Sequence, residues 1–186
     1  MSEQINSNRR GFLTRLSKPV KAAANYEEKS QRSHARPPRA VDEVLFERLC
    51  DGCGLCEQAC PNSVIEMLEG SALLNLDYNS CSMCNKCSEV CPTGALHPTV
   101  TPYIDLKPSF ADSCNNYMQM DCNACQTACS ASAIQIEAGE LPTVDKDKCN
   151  GCGECRSACY IGSVTLNLIQ SGLALWQQVS RKALVE

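Results

Sequence analysis

Sixteen cysteines are the residues of this chain best suited to do chemistry, and all of them fall in four short motifs. Every motif ends in the spacing Cys-x2-Cys-x3-Cys, with one further cysteine before it. The motifs contain, in order, Cys50, Cys53, Cys56 and Cys60; Cys81, Cys84, Cys87 and Cys91; Cys114, Cys122, Cys125 and Cys129; and Cys149, Cys152, Cys155 and Cys159. Cysteines at this density either hold metal or pair as disulfides, and their spacing separates the two cases.

The run Cys-x2-Cys-x2-Cys-x3-Cys is the ligand pattern of bacterial [4Fe–4S] sites, in which the fourth cysteine serves a neighbouring cluster. Three thiolates two residues apart can wrap a loop around a cubane, and glycines such as Gly52, Gly54, Gly151 and Gly153 allow the backbone to approach it. A structural zinc site is the alternative, but zinc usually takes two separated Cys-x2-Cys pairs. The spacing therefore predicts iron–sulfur clusters, with all sixteen cysteines as ligands.

The third motif departs from the pattern, because seven residues rather than two separate Cys114 from Cys122. It also lacks the proline that follows motifs one and two, and motif four has Tyr160 at that position. The alignment of the repeats extends the prediction of cluster binding to Cys114, which gives four clusters in all. If Cys114 is not a ligand, its site holds a three-iron or labile cluster.

The four motifs form two pairs. The first cysteines of motifs two and four are 68 residues apart, and so are their last cysteines. Phe46 and Phe110 precede motifs one and three by four residues, whereas Asp77 and Asp145, which we expect to cap turns, precede motifs two and four. A two-motif unit duplicated whole explains these intervals, and it pairs motif one with two and motif three with four. A nested pairing, one with four and two with three, is the competing arrangement.

The duplication predicts which cysteines share a cluster. The expected sets are Cys50, Cys53, Cys56 and Cys91; Cys81, Cys84, Cys87 and Cys60; Cys114, Cys122, Cys125 and Cys159; and Cys149, Cys152, Cys155 and Cys129.

The fold class that follows is α+β, with tandem bacterial two-cluster ferredoxin-like units built from short β-hairpins and short helices. Strand-like segments at 64–68 and 72–77, and again at 133–137 and 141–145, flank glycine-containing turns and predict one hairpin in each unit.

We expect four segments along the chain. They are a basic, disordered arm and linker at 1–40, a first two-cluster unit at 41–109, a second at 110–170, and a C-terminal helix at 171–186. The arm carries a charge of +6 and the rest of the chain −10. Two interpretations of the arm stay open, a solvated tail or a docking segment for a partner. The acidic, cysteine-rich body argues against nucleic-acid binding.

Residues 8–13 look like a twin-arginine export motif, but Arg15, Lys18 and Pro19 interrupt the apolar stretch that an export signal needs. We expect a cytoplasmic protein without a membrane span, in which clustered thiols stay reduced. The sequence has no phosphate-binding loop and no dinucleotide fingerprint, and its histidines, His34 and His97, are expected in a linker and a loop. These features predict an electron-transfer or assembly protein rather than an enzyme.

Together the motifs resemble one family, the NapF-type ferredoxin-like accessory proteins of the periplasmic nitrate reductase system. The Arg-Arg-Gly run at 9–11, the order of the motifs, the long first gap within 114–129 and the run at 149–155 carry the resemblance, which covers about residues 8–166. It implies the same sixteen cysteines as cluster ligands. It also implies a cytoplasmic protein that binds the molybdenum-containing catalytic subunit of nitrate reductase before export and helps to load or reduce its [4Fe–4S] cluster.

A second hypothesis stays open beside this one. The protein would then be a plain electron carrier, or the electron-transfer subunit of a nitrate reductase or another anaerobic redox system.

Overall fold

Short helices follow the closely spaced cysteines, and small antiparallel strand pairs connect the motifs. The structure is a computed structural model and describes residues 32–169. Its helices are α1 (Glu43–Leu49), α2 (Leu55–Ala59), α3 (Lys86–Glu89), α4 (Ala124–Thr127) and α5 (Glu154–Ser157). Its strands are β1 (Ile65–Leu68), β2 (Ser71–Leu74), β3 (Leu106–Phe110), β4 (Ile134–Gln135), β5 (Thr143–Val144) and β6 (Val164–Leu168).

The predicted fold class is confirmed, and both predicted hairpins are present. In the first unit β1 pairs with β2, and Glu69 and Gly70, both with positive φ, form the tight turn that such hairpins favour. In the second unit β4 pairs with β5 over two residues each, a shorter ladder than the sequence predicts. The predicted C-terminal helix at 171–186 lies outside the described residues.

A third strand pair was not predicted. β3 runs antiparallel to β6, from Leu106 opposite Leu168 to Phe110 opposite Val164. Most of β3 lies at the end of the segment predicted as the first unit, 41–109, so this pair crosses the predicted boundary at residue 110. No turn signal marks it, because the cysteine motifs three and four lie between the two strands.

The two units have apolar cores of different size. The first surrounds Phe46, Leu96 and Ile104, all with fully buried side chains, and includes both strands of its hairpin. Phe46 lies in α1, and Asp42 caps the start of this helix: its carboxylate accepts a hydrogen bond from the Leu45 amide at 3.1 Å. Among residues 32–169, the second core cluster contains four buried residues, of which two are cysteines. We therefore expect the stability of this unit to depend on what its cysteines bind.

Residues 32–40 differ from the sequence expectation, which places them in a disordered arm. Pro37 and Pro38 are buried, and Ala35 and Ala40 form isolated bridges with Leu74 and Leu96. We call residues 32–41 the N-terminal strap, because they pack along the first unit. The rest of the predicted arm, residues 1–31, lies outside the described residues.

Arginine side chains hold the strap. Arg36 pairs with Glu43 at 2.6 Å, donates to Ser71 Oγ and the Ala72 carbonyl, and lies over the Phe46 ring with its guanidinium carbon 4.5 Å from the centroid. Burial raises the pKa of Glu43, but the hydrogen bonds and charges of Arg36 and Arg32 outweigh it, so the pKa is lowered. The carboxylate is thus a charged anchor for the strap at neutral pH.

None of the described helices, the longest of which has seven residues, has the length and apolar character needed to cross a membrane.

The strap predicts a measurable loss of stability in Arg36→Ala. We expect a decrease of about 1–3 kcal/mol in the free energy of unfolding, since charge-assisted hydrogen bonds of this kind contribute that much. Anaerobic urea unfolding of the metal-loaded protein measures it. Lys146→Ala, which removes an exposed lysine, is the control and should change little. Equal stability of the two variants would mean that the contacts of the Arg36 side chain do not stabilise the fold.

Candidate metal centres

The structure brings the sixteen cysteines together in four sets of four, and each set lines one cavity. Each site takes the number of the motif that supplies three of its cysteines. Site 1 is lined by Cys50, Cys53, Cys56 and Cys91; site 2 by Cys81, Cys84, Cys87 and Cys60; site 3 by Cys114, Cys122, Cys125 and Cys159; and site 4 by Cys149, Cys152, Cys155 and Cys129. These sets follow the pairing of motif one with two and of three with four, not the nested pairing. That the thiols ligate iron stays a prediction.

One helical turn carries the chain from each site to its neighbour. Cys56 lies within α2 and lines site 1, whereas Cys60 caps the end of α2 and lines site 2. In the second unit Cys155 lies within α5 and lines site 4, and Cys159 just beyond the helix lines site 3. Because α2 packs on α3 and α4 on α5, the two sites of each pair share these short helices.

The cavities are alike in size and apolar away from the thiols. Phe46 and Leu96 help to close site 1, and Phe110 and Val164 help to close site 3. Their volumes, open mouths included, lie between about 320 and 370 Å³. Four thiols around an apolar cavity fit a [4Fe–4S] cubane, in which each iron takes one thiolate.

A single metal ion fits these cavities less well. A structural zinc ion needs four ligands at about 2.3 Å from one centre. Among residues 32–169, no three His, Cys, Asp or Glu side chains come together as a site for one ion. The four sulfurs of each set line a cavity instead, and such a cavity suits a multi-iron cluster better than a single ion.

At two of the glycine positions the neighbouring backbone leaves no room for a Cβ atom. Gly52 and Gly151 have φ values of 72° and 80°, in the region that other residues rarely adopt. A Cβ atom at Gly151 would lie 2.2 Å from the Ile104 carbonyl oxygen, and one at Gly52 would lie 2.7 Å from that of Gly70. These two glycines permit a close approach of protein backbone, and the predicted approach of the glycine-containing loops to a cluster stays a prediction.

Burial raises the pKa of the third cysteine in every motif. The pKa of Cys56 and Cys125 rises to about 11, and that of Cys87 and Cys155 to about 12. These thiols are protonated at neutral pH when no metal is bound. Since the thiolate is the ligand, metal binding must release their protons.

Backbone amides reach the sulfur of two fourth cysteines. The Leu96 amide donates to Cys91 Sγ at 3.4 Å, and the Ala133 amide donates to Cys129 Sγ at 3.3 Å. For Cys91, burial raises the pKa, but the hydrogen bonds from the Leu96 amide and the Thr93 hydroxyl have the larger, opposite effect. The pKa of Cys91 is therefore lowered. Such donors stabilise thiolate charge and are among the factors that set cluster potentials.

The irregular third motif still delivers its first cysteine to site 3. The extra residues fold into a compact turn in which the Met118 amide donates to the Cys114 carbonyl at 2.9 Å. Cys114 is buried beside Cys122 and Cys125, and it lines the cavity like its counterparts in the other motifs. The structure thus places Cys114 where a fourth ligand of site 3 is needed.

The two units meet between sites 2 and 4. The Cys81 amide donates to the Cys152 carbonyl at 2.8 Å, and these two cysteines line the two sites. Arg156 reaches across to the main-chain oxygen and the carboxylate of Asp77, the latter at 3.0 Å. The sites therefore lie in the order 1, 2, 4, 3.

This junction has no signal in the sequence. Asp77 is predicted to cap a turn, and no pattern indicates Arg156 as its partner, since 79 residues separate the two. Asp145 does cap its turn, accepting hydrogen bonds from the Asp147 and Lys148 amides at 3.0 and 3.4 Å. The backbone hydrogen bond from Asp147 is the main reason why the pKa of Asp145 is lowered.

Two family models match the chain. Residues 49–95 match the 4Fe-4S dicluster domain, and residues 142–165 match the 4Fe-4S binding domain. The first range lies in the first unit and the second range contains motif four. The protein therefore carries several [4Fe–4S] clusters, as the spacing of its cysteines predicts.

Curated relatives match nearly the whole chain. An uncharacterised protein of Haemophilus influenzae is 40% identical over 159 residues, which is 86% of this chain and 90% of the relative. The ferredoxin-type protein NapF of Escherichia coli K12 is 30% identical over 90% of this chain and 99% of its own length. The methylamine utilization ferredoxin-type protein MauM of Methylophilus methylotrophus is 32% identical over 86% of this chain and 76% of its own length.

Iron content tests whether each site combines three cysteines of one motif with the last cysteine of its partner motif. The intact protein should hold about 16 iron atoms in four clusters. The double variant Cys60→Ala with Cys84→Ala changes two motifs but removes thiols only from site 2, so about 12 iron atoms, in three four-iron clusters, should remain. Cys60→Ala with Cys53→Ala changes one motif but removes one thiol from each of sites 1 and 2, so neither site keeps a four-iron cluster and only two four-iron clusters should remain. Iron, acid-labile sulfide and the electron paramagnetic resonance signal of three-iron clusters are measured after anaerobic purification. Two four-iron clusters in the first variant and three in the second would show that each motif binds its own cluster.

Proposed function

The chain belongs to the NapF-type family of ferredoxin-type proteins, and on that premise we propose that it assists maturation of the molybdenum-containing catalytic subunit of a periplasmic nitrate reductase. In this role it binds the subunit in the cytoplasm, before export, and supplies or reduces the subunit's [4Fe–4S] cluster. It acts as an electron-transfer and assembly protein, not as a catalyst in its own right. The sixteen cysteines are the cluster ligands.

One observation carries the proposal. The chain aligns with NapF over 99% of that protein's length, and it contains four cavities with four cysteines each. A cytoplasmic setting is consistent with this ligand chemistry, since cysteines that must bind iron have to stay reduced.

The described residues have separate tasks at the sites. A bound [4Fe–4S] cluster supplies one-electron chemistry. Apolar side chains such as Phe46 and Val164 keep water from the cavities, and the Leu96 and Ala133 amides stabilise charge on the sulfurs that they contact. The Arg156–Asp77 pair bridges the two units at the junction between sites 2 and 4.

The maturation role predicts a complex with the unexported, cluster-free catalytic subunit. Anaerobic co-purification should recover both chains, and iron and sulfide counted on each should show cluster gain or activation of the subunit. A truncation of residues 1–31, which spares the N-terminal strap, tests whether the basic segment is needed for docking. Failure of the full chain to bind the subunit would contradict the maturation role. Full binding by the truncated chain would remove that segment from the docking surface.

A second candidate function is electron transport between redox partners. The row of sites 1, 2, 4 and 3 favours it, because paired sites share short helices and the central pair shares a backbone hydrogen bond. The relatives named MauM carry the words methylamine utilization in their printed names, so similarity to ferredoxin-type proteins does not by itself select nitrate reductase as the partner.

Magnetic coupling between reduced clusters tests the order of sites 1, 2, 4 and 3. The variant Cys53→Ala with Cys122→Ala leaves only sites 2 and 4 intact. After reduction it should show broadening from spin–spin interaction in electron paramagnetic resonance, because these sites adjoin at the junction. The matched variant Cys84→Ala with Cys122→Ala leaves sites 1 and 4, which are not neighbours, and should show sharper signals. Identical spectra from the two variants would contradict the proposed order.

A further inference from the structure

The insertion in motif three, residues 115–121, is longer than cluster binding requires. Motifs one, two and four connect their first two cysteines with two residues, and motif three uses seven. The added residues fold back on themselves, with the Met120 amide donating to the Asn115 carbonyl at 2.8 Å and the Gln119 amide to the Asn116 carbonyl at 3.0 Å. The insertion is thus a folded turn attached to the rim of site 3.

Two asparagines fix this turn. Asn116 is only 6% exposed, and its side-chain amide donates to the carbonyls of Glu137 and Glu140, at 2.7 Å in both cases. These carbonyls belong to the connection between β4 and β5. On the other side, the Asn115 amide donates to the Tyr160 hydroxyl. The turn is held by the protein on both sides, so its outer side chains are positioned in advance.

The turn presents apolar side chains to solvent. We call Tyr117, Met118, Met120, Tyr160 and Ile161 the site 3 platform; their exposed fractions are 44%, 59%, 52%, 73% and 39%. Tyr160 and Ile161 also line the cavity of site 3. Exposed apolar groups concentrated in this way commonly mark interaction sites, and Tyr and Met are enriched in protein interfaces.

The surroundings of the platform are acidic. No Lys, Arg or His occurs between Lys107 and Lys146 in the sequence. Asp112, Asp121, Glu137 and Glu140 are exposed in this interval. Glu137 and Glu140 lie next to the turn, because their carbonyls hold Asn116. An apolar surface with an acidic border favours a partner with the opposite charge around an apolar centre.

We propose that the site 3 platform is the docking surface for the client protein, whose contacting face has an apolar centre bordered by Lys and Arg. The inference rests on the proposed function, because it assumes that this protein meets a client. Site 3 ends the row of sites, so a partner docked on the platform lies beside a terminal site. A second copy of the same chain fits less well, since two acidic borders would repel each other.

The test replaces three apolar side chains of the site 3 platform and measures the affinity of the protein for its client. The metal-loaded variant Tyr117→Ser, Met118→Ser, Met120→Ser is compared with wild type for binding to the unexported nitrate reductase catalytic subunit, by anaerobic biolayer interferometry. We expect its affinity to fall about tenfold or more, as for residues that dominate an interface. The control Val44→Ser, Leu68→Ser, Tyr78→Ser removes exposed apolar residues elsewhere and should retain the wild-type affinity.

A charge variant tests the platform without altering the turn. Glu137→Gln with Glu140→Gln keeps the main-chain carbonyls that hold Asn116 but removes two charges from the border. Its binding should be weaker than that of wild type at low salt, and the difference should shrink as salt is raised. Iron content equal to wild type shows that site 3 is intact in each variant.

The outcomes separate this inference from the proposed function. Wild-type affinity in both the triple variant and the charge variant would overturn the docking surface and leave the maturation role standing. Absence of binding by the wild-type protein would overturn the maturation role and this surface with it. A dimer in sedimentation that the triple variant abolishes would assign the platform to self-association and contradict the proposal.

Discussion

The constraint on which the fold depends is the single helical turn between the third and fourth cysteines of each motif. Cys56 and Cys60 lie within and at the end of α2, and they line different sites. No motif can therefore complete a site alone, and its partner motif has to supply the missing thiol. Hairpins and short helices fill the space between partners. The pairing of motifs, rather than a large apolar core, sets the architecture of each unit.

The duplicated units have diverged around this shared constraint. The first has a substantial apolar core, to which the N-terminal strap adds Ala35 and two buried prolines. The second has a small buried apolar cluster among the described residues, and its last strand, β6, pairs with β3, which precedes motif three. It also carries the insertion beside site 3. One unit is thus adapted for stability, and the other presents the exposed surface that we assign to docking.

The cysteine sets and the hairpins could be predicted from the sequence, because the sets follow from the spacing within and between the repeated motifs and the hairpins from turn residues. The strap could not, since Arg36-Pro37-Pro38-Arg39 has the composition of a linker, and its burial depends on Glu43 and Ser71. The β3–β6 ladder and the Arg156–Asp77 pair join residues more than 50 positions apart, and no local pattern encodes such contacts. Phe46 and Phe110 occupy equivalent positions in the repeats, yet Phe46 lies in a helix and Phe110 in a strand. Tertiary context decided between the two.

The most direct test of this account is a crystal structure of the anaerobically purified protein with anomalous scattering measured at the iron absorption edge. The account predicts four four-iron clusters, each bound by three cysteines of one motif and the last cysteine of its partner, with Cys114 bound at site 3. Clusters bound by the four cysteines of a single motif, or a site 3 whose cluster leaves Cys114 free, would contradict it.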